Sequence, residues 1–161
     1  MSTREIILMR HAHAGHGKAG QADIDRTLSP RGEAEAEAAG IWIKTHVPPL
    51  ARALCSPAQR TRQTLAGVLD QTGYVEAAFE SAIYDATPGV LIDLLAAQPE
   101  SASPLLLVGH NPGLEQLLAL LTEGASDAGR GMPTSSVARL ALPLEAPVEP
   151  GVARLLAFWF P

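Results

Sequence analysis

Arg10 and His11 stand together directly after the apolar run Glu5-Ile6-Ile7-Leu8-Met9, where a buried strand should end. Loops at the carboxyl edge of a parallel sheet form the usual ligand crevice of an α/β fold, and a positive pair there calls for an anion, phosphate first. Two further segments supply matching groups. Ser56-Pro57-x-x-Arg60-x-x-Gln63-Thr64 follows a second apolar run and Gly109-His110-Asn111-Pro112 a later one, each opening a helix. A neutral imidazole attacks phosphorus well when one ring nitrogen is held in line with the leaving group. His11 is the candidate, and nearby arginines and positive helix ends would disfavour its imidazolium form. Arg10 and Arg60 offer planar, paired donors to non-bridging oxygens, and His110, at a helix start, would add a further donor, especially if protonated. Taken singly, such residues are more often solvated arginines or satisfied polar histidines. Placed after three separate strands of one short chain, they point jointly to phosphoryl chemistry. Arg62 lies two residues beyond Arg60, which on a helix turns it away toward solvent.

The elements that must position these residues alternate between apolar runs and helical patterns. That order predicts a three-layer α/β/α sandwich around a mostly parallel central sheet. Strands are expected at Glu5–Met9, Ala51–Leu54, Val75–Phe79, Pro104–Val108, Val137–Leu142 and Ala153–Phe160. Ser29-Pro30 reads as a cap followed by first-turn proline, opening an Ala/Glu-rich helix to about Thr45. Ser56-Pro57, Thr87-Pro88 and Asn111-Pro112 repeat that logic, since a first-turn amide has no intrahelical acceptor to lose. Ala14–Thr27 and Glu123–Gly131 are polar and glycine-rich, and both are expected to be loops. The apolar tail Leu155–Phe160 suits a last strand by length and residue type, and a contact surface is the other possibility.

A chain of 161 residues with 47% hydrophobic content fits one domain spanning residues 1–161. A formal charge of −5 argues against a general nucleic-acid binder, so the cations that matter are local. A single cysteine, Cys55, excludes an internal disulfide and a cysteine-based zinc site. The charged amino terminus runs into a short strand with no apolar stretch of signal or membrane-spanning length, so neither a membrane partner nor export is expected and the chain reads as cytoplasmic.

The three segments resemble the signature of the histidine phosphatase superfamily, in its small SixA-like phosphohistidine phosphatase branch. Asp25-Arg26-Thr27-Leu28-Ser29-x-x-Gly32 and Met132-Pro133-Thr134 extend the likeness over nearly the whole chain. The short length also matches that branch, because larger relatives such as phosphoglycerate mutases carry long insertions over the site. The resemblance implies a phosphoglycerate mutase-like fold, His11 as phosphoryl acceptor, a phosphate cage of Arg10, Arg60 and His110, and no metal or other cofactor. It implies a phosphohistidine-bearing protein as partner, with a small phosphate ester as the alternative. Many relatives place a glutamate after the third strand to protonate the leaving oxygen, whereas this chain has Ala82-Ile83-Tyr84-Asp85-Ala86. Asp85 either substitutes for that acid or is a turn residue ahead of a helix. Without a strong acid, imidazole leaves a phosphoramidate more readily than an alkoxide leaves an ester, which favours a P–N substrate. Arg26 is a second candidate for substrate binding, with a surface position as its other reading.

Two competing readings stand beside this one. His11-x-His13-x-x-His16 has the look of a metal-binding string and would suggest a metallohydrolase. It leaves Arg10, Arg60 and the Gly-His-Asn-Pro segment without a task. A module that binds a phosphorylated partner without turnover would have no need of His11 beside the arginines. The sequence does not decide the oligomeric state.

Overall fold

Ile6, Ile7, Leu8 and Met9 are all buried, and their alternation divides them between two cores. Ile6 and Leu8 face one cluster with Leu105 and Leu107, while Ile7 and Met9 face the other with Leu106 and Val108. A strand covered on both faces needs such an unbroken apolar run, because neither set of side chains meets water. The computed structural model describes residues 2–127, 129 and 131–161. Its strands are β1 (Thr3–Arg10), β2 (Arg52–Cys55), β3 (Ala77–Phe79), β4 (Leu105–Gly109), β5 (Val137–Pro143) and β6 (Arg154–Trp159). Helices α1 (Pro30–His46), α2 (Gln59–Thr72), α3 (Pro88–Ala96) and α4 (Gly113–Glu123) complete it.

The sheet order is β3-β2-β4-β1-β5-β6. β3, β2, β4 and β1 run parallel, and β5 and β6 are added antiparallel. Only residues 144–153 separate β5 from β6, too little for the crossover that a parallel pair requires. α1 and α2 cover the core containing Ile43, Leu65 and Val68, and α3 and α4 cover the core containing Leu91, Leu95, Leu114 and Leu117. The connections leaving the adjacent strands β1 and β4 therefore diverge to opposite faces, which opens a crevice at their carboxyl ends. His11 and His110 are the residues that follow those two strands.

Helix starts follow the expected chemistry at two of four places. Ser29 Oγ accepts from Gly32 N at 3.1 Å and Thr87 Oγ1 from Val90 N at 3.3 Å, each ahead of a first-turn proline. Ser56 does not cap α2: the helix begins at Gln59, and the Ser56 hydroxyl instead meets His110. α4 likewise begins at Gly113, beyond Asn111-Pro112. The Asn111 side chain links Glu115 N, 3.3 Å from its Oδ1, to the Met132 carbonyl, 2.8 Å from its Nδ2. The expected loop at 14–27 contains a 3-10 turn, Asp23–Asp25, and is pinned by a bridge between Ala14 and Leu28. Of the expected loop Glu123–Gly131, Ala128 and Arg130 lie outside the described residues.

Gly32 ties α1 to the first loop. A Cβ built there would lie 1.9 Å from the His13 carbonyl oxygen, which itself accepts from Ser29 N at 3.0 Å. Gly32→Ala should therefore force the loop off the helix and cost about 1–3 kcal/mol, as overpacking does. Urea denaturation checks this, and an unchanged midpoint would show that the close approach does not constrain the fold.

Candidate active site

His11 is fastened through its backbone before its ring is considered. Its N–H donates to the Gly109 carbonyl at 3.1 Å, and its own carbonyl accepts from Ser135 N at 3.1 Å. The next amide, Ala12 N, donates to Thr64 Oγ1 at 2.9 Å. β4, α2 and the segment before β5 thus all hold the turn that leaves β1. The residue is 8% exposed and its ring Nδ1 lies 2.7 Å from the Ala12 carbonyl. A carbonyl can only accept, so Nδ1 carries the proton and Nε2 keeps its lone pair. That is the protonation a nucleophilic imidazole needs.

The cations gather around it. A cavity of about 350 Å³ is lined by Arg10, His11, His13, Arg26, Arg60 and His110, with Ala14, Asp85, Asn111 and Thr134 completing the wall. Arg10, at the end of β1, donates from Nη1 to the Met132 carbonyl at 3.0 Å. Arg60, in the first turn of α2, is 6% exposed, and its Nη1 and Nη2 donate to the backbone oxygen and Oδ2 of Asp23 at 2.8 and 3.0 Å. The His110 ring lies 5.3 Å from that of His11. Its Nε2 is 2.7 Å from Ser56 Oγ, and its buried Nδ1 has no hydrogen-bond partner among the described residues. When the serine donates, the neutral ring carries its proton on Nδ1 and remains a donor.

Burial dominates the electrostatics of both imidazoles. Loss of solvent, with Arg60, Arg10 and Arg26 adding to it, lowers His11 to about 4 despite the opposing bond to Ala12. Burial, then the proximity of His11 and Arg60, lowers His110 to about 3. Both are neutral at pH 7, so any proton His110 could offer an anion is that of a neutral ring N–H rather than of an imidazolium. Burial also lowers Arg10, with Glu115 and Glu35 partly compensating.

All six residues expected at the site from sequence, His11, Arg10, Arg60, His110, Arg26 and Asp85, line this one cavity. Arg26 places Nε 3.1 Å from Asp23 Oδ1. Asp85 is exposed at a backbone φ of 55°. Arg62 is exposed, stacked at 4.0 Å over the Phe79 ring. The histidine string does not converge: His13 Nδ1 is 2.6 Å from Ser29 Oγ while His16 is exposed, and no group of three potential ligands is assembled among the described residues.

Several supporting residues had no assigned task in the sequence. Glu35, nearly buried, accepts from His13 N at 2.9 Å and Thr134 Oγ1 at 3.1 Å. Gln63 accepts from Leu28 N at 2.7 Å. Asp23 grips Arg60 and also accepts from the Tyr84 hydroxyl at 2.5 Å. The Ser-x-x-Gly cap and the Gln-Thr pair are visible as motifs, but their partners are tens of residues away. Cys55, at the end of β2, is buried with Sγ 3.3 Å from the Ser56 carbonyl oxygen, and burial pushes its thiol up to about 12.

An unprotonated ring nitrogen on a cavity that Arg10, Arg26 and Arg60 also line, at the edge of an α/β sheet, is an arrangement suited to phosphoryl transfer. The histidine phosphatase superfamily (branch 1) profile matches residues 6–97, more than half of the chain. The uncharacterised protein Rv1276c of Mycobacterium tuberculosis is 38% identical over 162 residues, covering 95% of this chain and 99% of that protein. A SixA-named protein of Nakamurella multipartitia, described as a candidate phosphohistidine phosphatase, superposes with a TM-score of 0.87 at 30% identity, covering 100% and 98% of the two chains. Its counterpart in Agrobacterium tumefaciens gives 0.85 at 31%, covering 98% of each. The chain belongs to the histidine phosphatase superfamily, in its SixA-like branch, and is a hydrolase of phosphatase type.

The depressed imidazoles fix a pH dependence. Unfolded histidines bind protons below about pH 6.5, whereas the folded His11 does so only near 4 and His110 near 3. The unfolded state therefore gains protons first, and stability should fall as pH drops from about 6.5 to about 3. Histidine ring NMR should show both signals unmoved at pH 5.5. Midpoints near 6.5 would contradict the burial argument.

Proposed function

We propose that this phosphatase, a single domain over residues 1–161, hydrolyses phosphohistidine on a partner protein through a phosphohistidine formed on its own His11. The observation that carries the reading is the bond from His11 Nδ1 to the Ala12 carbonyl, which leaves Nε2 as an unprotonated nucleophile within a cationic cavity. In the first transfer Nε2 attacks phosphorus and the substrate's P–N bond breaks; its imidazole leaves neutral, carrying the proton already held on its other ring nitrogen. Arg10, Arg60 and His110 hold the non-bridging oxygens, with Arg26 beside them. In the second, water attacks the phosphorylated His11, gives up a proton, and inorganic phosphate departs as the ring returns to its neutral form. No step calls for a metal or other cofactor, and the proposed setting is cytoplasmic.

The leaving group supports the choice of substrate. Asp85 is the one carboxylate lining the cavity among the described residues. Asp23 is held ionised, mainly by the Tyr84 hydroxyl and further by Arg60 and Arg26. Imidazole departs with less protonation than an alkoxide requires, so the P–N bond suits such a site better than an ester.

Phosphate release from a phosphohistidine-bearing protein and from an alkyl phosphate ester, measured side by side in chelator, tests the reading. His11→Ala should abolish turnover of the phosphoprotein, and acid-labile phosphate should be trapped on the wild type. Preference for the ester would move the function to metabolite hydrolysis, and activity surviving in His11→Ala would overturn the nucleophile. Asp85→Asn should hardly change phosphohistidine hydrolysis yet slow the ester, by the roughly 10²–10⁴-fold that a positioned acid contributes. Equal loss on both substrates would defeat the leaving-group argument.

A further inference from the structure

Asp23 stands outside the cavity yet meets two of its arginines. It is absent from the cavity wall that Arg26 and Arg60 line, and its side chain is 55% exposed. Its backbone oxygen and Oδ2 take one proton from each terminal nitrogen of Arg60. Its Oδ1 lies 3.1 Å from Arg26 Nε. Each Arg60 terminal nitrogen keeps a second proton, and Nε has no hydrogen-bond partner among the described residues, so the guanidinium has donors left for an anion in the cavity. The carboxylate is itself held by Tyr84, whose ring packs edge-on against His110 at 5.4 Å and lies 6.0 Å from the Arg60 guanidinium carbon. The loops after β1 and β3 and the first turn of α2 meet at this one carboxylate.

We propose that Asp23 is a positioning residue that braces Arg60 and Arg26 from behind, with Tyr84 as its strut, so that both guanidinium groups face the phosphoryl oxygens already aligned. The inference rests on the phosphatase reading for its kinetic consequence alone. A long arginine side chain samples many rotamers unless its donors are engaged. An anion placed in the cavity would share Arg60 with Asp23 rather than evict it, because Asp23 does not line the cavity and leaves guanidinium donors unused. The negative charge also offsets a cluster of cations that would otherwise repel one another in the empty site.

The test compares Asp23→Ala, Asp23→Asn and Tyr84→Phe with the wild type by two readouts. Arginine side-chain NMR, with the Arg60 signals identified through Arg60→Lys, reports rotation of the terminal nitrogens without any turnover. Steady-state hydrolysis of a phosphohistidine-bearing protein reports kcat and KM. Separate Arg60 terminal-nitrogen signals are expected in the wild type and in Asp23→Asn, which keeps an acceptor, and merged signals in Asp23→Ala. The alanine variant should lose about 10- to 100-fold in kcat, with KM moving less, as misaligned transition-state donors do. Tyr84→Phe, which keeps the ring and removes only the hydroxyl, should fall between and serves if the alanine variant misfolds. Equal behaviour of Asn and Ala, or faster turnover in both, would overturn the brace and make Asp23 a competitor for Arg60. If the NMR pattern holds while the wild type hydrolyses no phosphoryl substrate, the brace stands and the proposed function fails.

Discussion

Positive charge cannot be crowded into a buried pocket without compensation, and this constraint shapes the whole site. Arg10, Arg26 and Arg60 line one cavity with His11 and His110. The two imidazoles stay neutral, chiefly because burial penalises their charged forms. The arginines are matched by carboxylates, Asp23 against Arg60 and Arg26, and Glu115 and Glu35 near Arg10. The same arrangement suits the nucleophile proposed for His11, since burial and the neighbouring cations keep the ring neutral while those cations also attract an anion.

The sheet provides rigidity that loops alone lack. β1 and β4 are adjacent and parallel, with Arg10 opposite Gly109 in register. The divergence of their connections leaves a gap that side chains from three strand-to-helix turns can fill. A protein interior packed to crystal density allows little adjustment, which explains why a glycine in α1 can govern where the His13 loop runs. β5 and β6 lie on the other side of β1, and their contribution comes through residues 132–135, where Met132 and Ser135 hold Arg10 and His11 by backbone hydrogen bonds.

Most of the framework is legible in the sequence because it depends on local signals. Apolar runs placed all six strands within two residues at either end, and proline after Ser29 and Thr87 marked true helix starts. Ser56 and Asn111 carry the same signal but begin their helices later, since their side chains are claimed by His110 and by Met132 and Glu115. The principal cavity residues could be found because each follows a strand. Asp23 could not: it sits among several polar residues of a glycine-rich loop, and its partners Arg60 and Tyr84 lie 37 and 61 positions away. Attention to Asp85 as an acid similarly passed over its neighbour Tyr84, whose contacts arise only when the loops after β1 and β3 are brought together.

The buried thiol at the end of β2 has a consequence for the conditions under which such an enzyme would work. Cys55 immediately precedes the serine that contacts His110, yet burial holds it as a thiol with a pKa of about 12. Peroxide oxidises thiolates far more readily than thiols, and it reaches exposed sulfur before buried sulfur. A phosphatase built on imidazole with its one cysteine sealed in this form would keep its nucleophile under oxidative stress that silences thiolate-based catalysts.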